Sequence, residues 1–483
     1  MAQADPSRVS TATMDEKWPA FETKMKAEGL NDSAIAAFKA NYRVLVNDSA
    51  IASFTTNYGV SVAGASTMMI VESAIAPVES LLHMDKLSVK PNPALLKKTL
   101  MLKLNGGLGT GMGLDKAKSL LAVKDESTFL DLIAMQVGSM RAQYKSELAF
   151  MLMNSFATSA DTLAHLAKYP DLGTGADLEF QQNKAPKVTA SDLSPASWPK
   201  DAEHEWCPPG HGDLYPAMLG SGTLDRLLGQ GFRYMFVSNS DNLGATMSLE
   251  LLTHFASLGA PFMMEVAERT DADKKGGHLA KDAKTGGLLL RESAQCCKED
   301  EAEFQNISKY KFFNTNNLWV DLVALKALFD ANNGALPLPV ITNSKTVDPR
   351  DKASTAVIQL ETAMGSAISC FPGATAIVIP RSRFAPVKTT SDLLALRSDA
   401  YLLTADFRIE LDPARKGVPP DVKLDGRYKF VDAMDTLGTV PSLIGCSELI
   451  IDVRAGSHPQ GRCLVLQRDG QQGHHCRWNI RKH

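Results

Sequence analysis

The run Lys103-Leu104-Asn105-Gly106-Gly107-Leu108-Gly109-Thr110-Gly111-Met112-Gly113-Leu114-Asp115-Lys116-Ala117-Lys118 constrains the fold more than any other part of the chain. Five glycines fall in the eight residues 106–113, and lysines follow at 116 and 118. The apolar stretch before it, Thr99 to Leu104, reads as a short buried strand. Glycine lets a backbone turn tightly and bring its N–H groups against a large anion. A strand, a glycine loop and a downstream lysine together point to a nucleotide polyphosphate site; a flexible loop without a ligand is the plain alternative. The spacing excludes two familiar versions of such a site. A P-loop places Lys and then Ser or Thr directly after its last glycine, whereas Leu114-Asp115 follow Gly113. A dinucleotide fingerprint reads G-x-G-x-x-G, whereas glycine recurs here at every second position from Gly107 to Gly113.

Composition narrows the class. The 483 residues suffice for about two to four domains, and a net charge of −3 gives no global field for nucleic acid. No apolar stretch approaches the roughly 18–20 residues of a membrane span. The first residues lack the basic-then-apolar order of a secretory signal. Seven cysteines without C-x-x-C spacing fit a reducing compartment better than a disulfide framework. The expectation is a cytoplasmic protein with no nucleic-acid or membrane partner.

Three regions follow along the chain. Residues 1–85 are helical in flavour and carry a tandem duplication: Asn31-Asp32-Ser33-Ala34-Ile35-Ala36-Ala37-Phe38 recurs as Asn47-Asp48-Ser49-Ala50-Ile51-Ala52-Ser53-Phe54. Each Asn-Asp-Ser reads as a helix N-cap. Residues 86–410 alternate strand and helix patterns, with strands at 148–153, 234–237, 262–266 and 376–379 and helices over 129–144 and 249–257. That order implies an α/β domain with a mostly parallel sheet, whose ligands sit beyond the carboxyl ends of the strands. Polar clusters lie there: Asn154-Ser155, Ser238 to Asn242, and Arg381 to Lys388. Residues 411–483 are shorter and more irregular.

A polyphosphate needs its charge neutralised, often with Mg²⁺. Asp241, just past an apolar strand, is the metal candidate, with a turn aspartate as the alternative. Lys118 and Lys388 are the cationic candidates. The rigid loop Pro208-Pro209-Gly210-His211-Gly212-Asp213 allows close ligand approach, and His211 could donate to a phosphate or sugar hydroxyl. The block Phe312-Phe313-Asn314-Thr315-Asn316-Asn317-Leu318-Trp319 sets amides between apolar anchors; amides both donate and accept, which suits sugar hydroxyls, unless the block is a cap or turn. Glu292 could accept from other hydroxyls.

Together these blocks resemble the UTP–glucose-1-phosphate uridylyltransferase (UDP-glucose pyrophosphorylase) family over residues 15–450. The likeness rests on Leu104 to Gly113 with Lys118-Ser119, Gln182-Asn183, Pro208 to Asp213, Ser238 to Gly244, Lys275 to Leu279, Arg291 to Ser293, Phe313 to Trp319, Leu360 to Gly365 and Arg381 to Lys388. It implies a Rossmann-like nucleotidyltransferase core, a helical N-terminal region and a C-terminal left-handed β-helix. The implied reaction joins UTP and glucose 1-phosphate into UDP-glucose and pyrophosphate with Mg²⁺. The resemblance assigns UTP to Leu104, Asn105, Gly106, Gly107, Gln182, Gly210 and Asp241, with Gln182 on the uracil edge and Asp241 on the metal. It assigns glucose 1-phosphate to His211, Asn239, Gly277, Glu292, Asn314, Asn316 and Lys388, and catalysis to Lys118 and Lys388. A broader-range UDP-sugar or UDP-N-acetylhexosamine pyrophosphorylase, a weakly active copy and a nucleotide-sugar sensor are the other functions such a chain could have.

Two departures stand out. Position 240 is serine where the family usually has glycine, so a side chain there is expected to crowd the sugar and, if φ is positive, to strain the backbone. Residues 452–483 are rich in Arg and His and lack regularly spaced apolar β segments. Codons for Val453 to Gly461, shifted forward by one base, can encode Phe-Gly-Gln-Gly-Val-Thr-Leu-Lys-Gly. The reading is a frameshift near residue 450 that replaced the last coils of a β-helix.

Overall fold

The computed structural model describes residues 14–58, 69–438, 441–453, 463–469 and 472–477. The chain forms two compact units. The first comprises Met1–Lys90, Phe180–Phe236 and Leu251–Val378; the second comprises Pro91–Glu179, Val237–Glu250 and Ile379–His483. The architecture is mixed α/β, with both parallel and antiparallel strand pairs.

In the second unit the strand Thr99–Asn105 is buried along its whole length. It pairs in parallel with Ala149–Asn154, Leu104 opposite Met153 and Asn105 opposite Asn154. A strand covered on both faces needs a nearly continuous apolar run, and Leu100, Leu102, Phe150 and Leu152 supply it. The helix Phe129–Tyr144 connects the two strands and buries Leu130, Ile133 and Val137. Its start is fixed by a capping box: the Thr128 hydroxyl accepts from the Asp131 amide, and the Asp131 carboxylate accepts from the Thr128 amide. Toward the C-terminus, Asp421–Leu424 pairs in parallel with Glu448–Val453. The strands Cys463–Asp469 and Gln472–Arg477 then follow in antiparallel order. The parallel coiling expected of a β-helix is therefore limited to that one pair among the described residues.

In the first unit, Phe262–Glu268 pairs in parallel with Thr375–Val378 and antiparallel with Phe312–Asp321. His278–Asp282 and Leu288–Arg291 form an antiparallel pair beside them. The N-terminal helices Met14–Ala27 and Asp32–Tyr58 belong to this unit and pack through Phe21, Phe38 and Tyr42. Asn31 caps the second helix, its Oδ1 accepting from the Ala34 amide at 2.9 Å. The cap expected at Asn47 is not used, because one helix runs unbroken from Asp32 to Tyr58. Leu45 and Val46, buried just before Asn47, hold that turn helical and deny it the extended backbone that a cap requires. Among the described residues no helix is long and apolar enough to cross a membrane.

Candidate active site

The predicted residues gather in two clusters, one in each unit. In the second unit three loops leave the same edge. The level parallel register brings the glycine loop beside Asn154-Ser155. The Ser240 amide donates to the Leu104 carbonyl at 3.1 Å, which joins Asn239 to Asn242 to that edge. It is the carboxyl end of the strands, where α/β sheets take ligands. The glycine loop is closed by Lys118 N donating to the Gly107 carbonyl at 3.1 Å and braced by Ser155 Oγ on the Gly106 carbonyl at 2.9 Å. Gly113 has φ +79°, and a Cβ there would lie 3.0 Å from the Phe430 ring, so the loop turns at a point where a side chain would be strained and would press on that ring.

Lys118 is half-buried. Its ammonium donates to Asp241 Oδ2 at 2.7 Å and to the Val387 carbonyl. An ammonium has three hydrogens, so one is left for a phosphate oxygen. Among the described residues, Asp241 Oδ1 is buried without a hydrogen-bond partner. The Val387 amide in turn donates to the Asp241 carbonyl at 3.1 Å. Asn242 fastens the same segment, donating to the Arg383 carbonyl and accepting from the Ala385 amide. Lys118, Asp241 and the segment that ends at Lys388 therefore meet at one point. Lys388 is exposed. Its amide, with that of Thr389, binds the Asp392 carboxylate that caps the helix Thr390–Arg397. That helix is tied on by Thr390 Oγ1, which donates to the Tyr428 carbonyl at 2.6 Å.

Leu104 and Asn105 are buried, and Asn239 is half-buried beside them. The Asn105 amide faces inward, donating to Asn154 Oδ1 at 2.7 Å and Thr162 Oγ1 at 3.0 Å. Ser240 does not have the left-handed backbone that would strain it. Its hydroxyl turns to Asn105 Oδ1 at 3.2 Å, so the strain expected at this position is absent.

The first unit holds the second cluster. Gln182 follows the strand Glu179–Gln181 and donates Nε2 to the Gly210 carbonyl at 2.9 Å. Because a carbonyl only accepts, this contact fixes which end of the amide is which. Asp213 grips the next residue, accepting from the Asn183 amide at 2.6 Å and from its side chain at 3.0 Å. Burial pushes the Asp213 carboxyl up to about 7, against the pull of those two donors. His211 Nδ1 accepts from the Met364 amide at 2.9 Å, so the neutral ring carries its proton on Nε2. Gly277 and Glu292 touch: a Cβ on Gly277 would lie 2.4 Å from Glu292 Oε2. The Glu292 amide is held by Gln295 Oε1 at 2.8 Å, and burial raises the Glu292 carboxyl above its usual range.

Asn314 and Asn316 meet through a bulge. Glu265 pairs with Asn317 but Val266 with Asn314, so Thr315 and Asn316 are unpaired in the ladder. Asn316 takes φ +59°, a conformation asparagine tolerates, and its Oδ1 accepts from Asn314 Nδ2 at 2.8 Å. The block is thus a strand interrupted by a bulge, rather than a cap or turn. Sequence reasoning gave no role to Met364 or Asp213. The one signal for Asp213 was an acid placed directly against the apolar run that begins at Leu214.

The chain is similar to known proteins over most of its length. The sequence profile of the UTP–glucose-1-phosphate uridylyltransferase family matches residues 51–458. The UTP–glucose-1-phosphate uridylyltransferase of Saccharomyces cerevisiae is 43% identical over 362 residues, covering 74% of this chain and 71% of its own. That of Solanum tuberosum is 41% identical over 399 residues, covering 80% and 81%. A solved UDP-glucose pyrophosphorylase mutant from Leishmania major superposes with a TM-score of 0.81 at 48% identity, covering 90% of this chain and 91% of that one. A second mutant of that enzyme, in complex with UDP-glucose, gives 0.80 at 48% over 90% of each. On a glycine loop, a lysine–aspartate pair and an asparagine bulge, in a chain this similar to its relatives over most of its length, the protein belongs to the UTP–glucose-1-phosphate uridylyltransferase family.

Proposed function

We infer that this chain does what its family name describes: it transfers the uridylyl group of UTP to glucose 1-phosphate, giving UDP-glucose and pyrophosphate. A phosphate oxygen of the sugar phosphate forms a bond to the α-phosphorus, and the bond from that phosphorus to the departing pyrophosphate breaks. Both reactants are anions, so the protein's work is to neutralise and to align. A phosphate monoester brings its own nucleophilic oxygen, and no strong base is required.

The residue roles follow the chemistry of each cluster. Lys118 binds the phosphates of UTP with its remaining hydrogen, and Lys388 binds the phosphate of glucose 1-phosphate. Leu104, Asn105, Gly106 and Gly107 support the nucleotide. Gln182 reads the uracil edge: with Nε2 oriented by Gly210, its Oε1 accepts from the ring N–H, a pairing that cytosine does not offer. His211, Asn239, Gly277, Glu292, Asn314 and Asn316 serve the sugar phosphate. Asp241 fits Mg²⁺, since a buried carboxylate oxygen without a partner suits a cation that takes one or two carboxylates together with substrate phosphates. When bound, the ion would spread the negative charge of the triphosphate.

The Lys118–Asp241 pair at the glycine loop carries this reading. The test is pyrophosphate release from UTP and glucose 1-phosphate, with and without Mg²⁺. No release with both substrates and metal present would refute it. We also propose the three-part division at about residues 85 and 410, and a left-handed β-helix begun by the Asp421–Leu424 and Glu448–Val453 pair and cut short by a frame change near residue 450. The coding DNA decides that last point.

A further inference from the structure

We propose that Ser240 is a positioning residue that ties the loop bearing Asp241 to the nucleotide loop and thereby sets the affinity for UTP. The idea rests on the functional reading above. Ser240 is 7% exposed, and its hydroxyl donates to Asn105 Oδ1. Asn105 is 2% exposed, and its Nδ2 is committed to Asn154 Oδ1 and Thr162 Oγ1. The chain of bonds continues: Asn154 Nδ2 donates to Glu179 Oε2, and Ser159 Oγ donates to Glu179 Oε1 at 2.8 Å. It is a buried polar belt beneath three strand ends. Its last link to the Asp241 loop is the serine hydroxyl.

The geometry says why that link matters. Asn105 directly precedes Gly106-Gly107, and Ser240 directly precedes Asp241. Without the hydroxyl, the belt would lose its bond to the Asp241 loop, and beside it would remain the backbone bond from Ser240 N to the Leu104 carbonyl and the Lys118–Asp241 contact. Asn105 Oδ1 would then be a buried acceptor without its donor, a cost that falls on the residue leading directly into Gly106-Gly107. The Lys118–Asp241 contact does not pass through Ser240, so the chemical step is spared and ground-state binding carries the loss. This direction is opposite to that of a side chain crowding a sugar, where replacing serine by glycine would raise activity.

The test uses the full chain and two variants, Ser240→Ala and Ser240→Thr. UTP affinity is measured by titration calorimetry without sugar phosphate, and kcat and KM are measured with both substrates. For the loss of one buried hydrogen bond, Ser240→Ala should weaken UTP binding about five-fold and raise its KM equally, with kcat and the KM for glucose 1-phosphate within about two-fold. Ser240→Thr, which keeps a hydroxyl, should bind UTP as the parent does. Ser240→Ala binding UTP like the parent, or Ser240→Thr failing as alanine does, would overturn the proposal. If Ser240→Ala does not fold, Thr162→Val removes an acceptor from the far side of Asn105 and decides instead: unchanged UTP affinity there overturns the belt. A parent protein that makes no UDP-glucose breaks the functional reading; an active parent with a parent-like alanine variant breaks this inference alone.

Discussion

The two clusters solve different problems with different materials. In the second unit, parallel strand ends carry charge: an ammonium held on a carboxylate and on the carbonyl of Val387, the residue before Lys388. In the first unit, antiparallel strands and a bulge carry amides, a neutral histidine and close-fitting glycines. Neutralising phosphates calls for full charges in a partly dry setting, whereas reading a base or a sugar calls for donors and acceptors at fixed points. The contrast predicts different kinetic signatures. Loss of a charge from the first of these clusters should appear in kcat; damage to the neutral cluster should appear in KM and in selectivity.

The largest effect belongs to Lys118. Lys118→Ala should lower kcat by about two orders of magnitude or more, the usual scale for losing one charge-stabilising group, with circular dichroism unchanged. Near-normal turnover would erase the difference between the clusters. Gln182→Ala comes next. It should reduce the preference for UTP over CTP about ten-fold in kcat/KM, because the amide that Gly210 orients is gone; an unchanged ratio would take base reading away from the first unit. Gly277→Ala should raise the KM for glucose 1-phosphate about five-fold by displacing Glu292, since a Cβ there meets the carboxylate at 2.4 Å. A fall in kcat alone would contradict the division of labour.

The smallest effect is on stability. Asp213 is raised to about 7 in the folded chain from an ordinary value of 3.8. Between those values the unfolded chain releases its proton first, so this group makes stability fall as pH rises from about 4 to about 7. His278, lowered to about 3 by burial, acts in the opposite sense, and its contribution is lost as pH falls from about 6.5 to about 3. Asp213→Asn should therefore flatten the acid-to-neutral decline in melting temperature, and an unchanged slope would show that Asp213 ionises normally.

Much of the charged cluster was legible because its signals are local. Glycine density, an apolar run and a lysine lie within 20 residues of one another, and the strands and the helix Phe129–Tyr144 fell where the pattern put them. The family likeness named the other side chains, but it could not give their bonds. That Asn105 faces inward, that Lys118 rests on Asp241, and that His211 is fixed by Met364 are consequences of tertiary pairing between segments more than 45 residues apart. The second helix cap failed for a related reason. Asn-Asp-Ser is a cap only where the preceding turn is free to be extended, and packing at Leu45 and Val46 removes that freedom.

One contact bears on the irregular tail. Phe430 rests on the loop at Gly113, and Tyr428 receives the hydroxyl of the helix that begins just after Lys388. Residues 428–430 thus brace the glycine loop and the helix beyond Lys388 together. Whatever loosens that brace is felt at both ends of it, at the turn of the glycine loop and at the cap of the helix Thr390–Arg397.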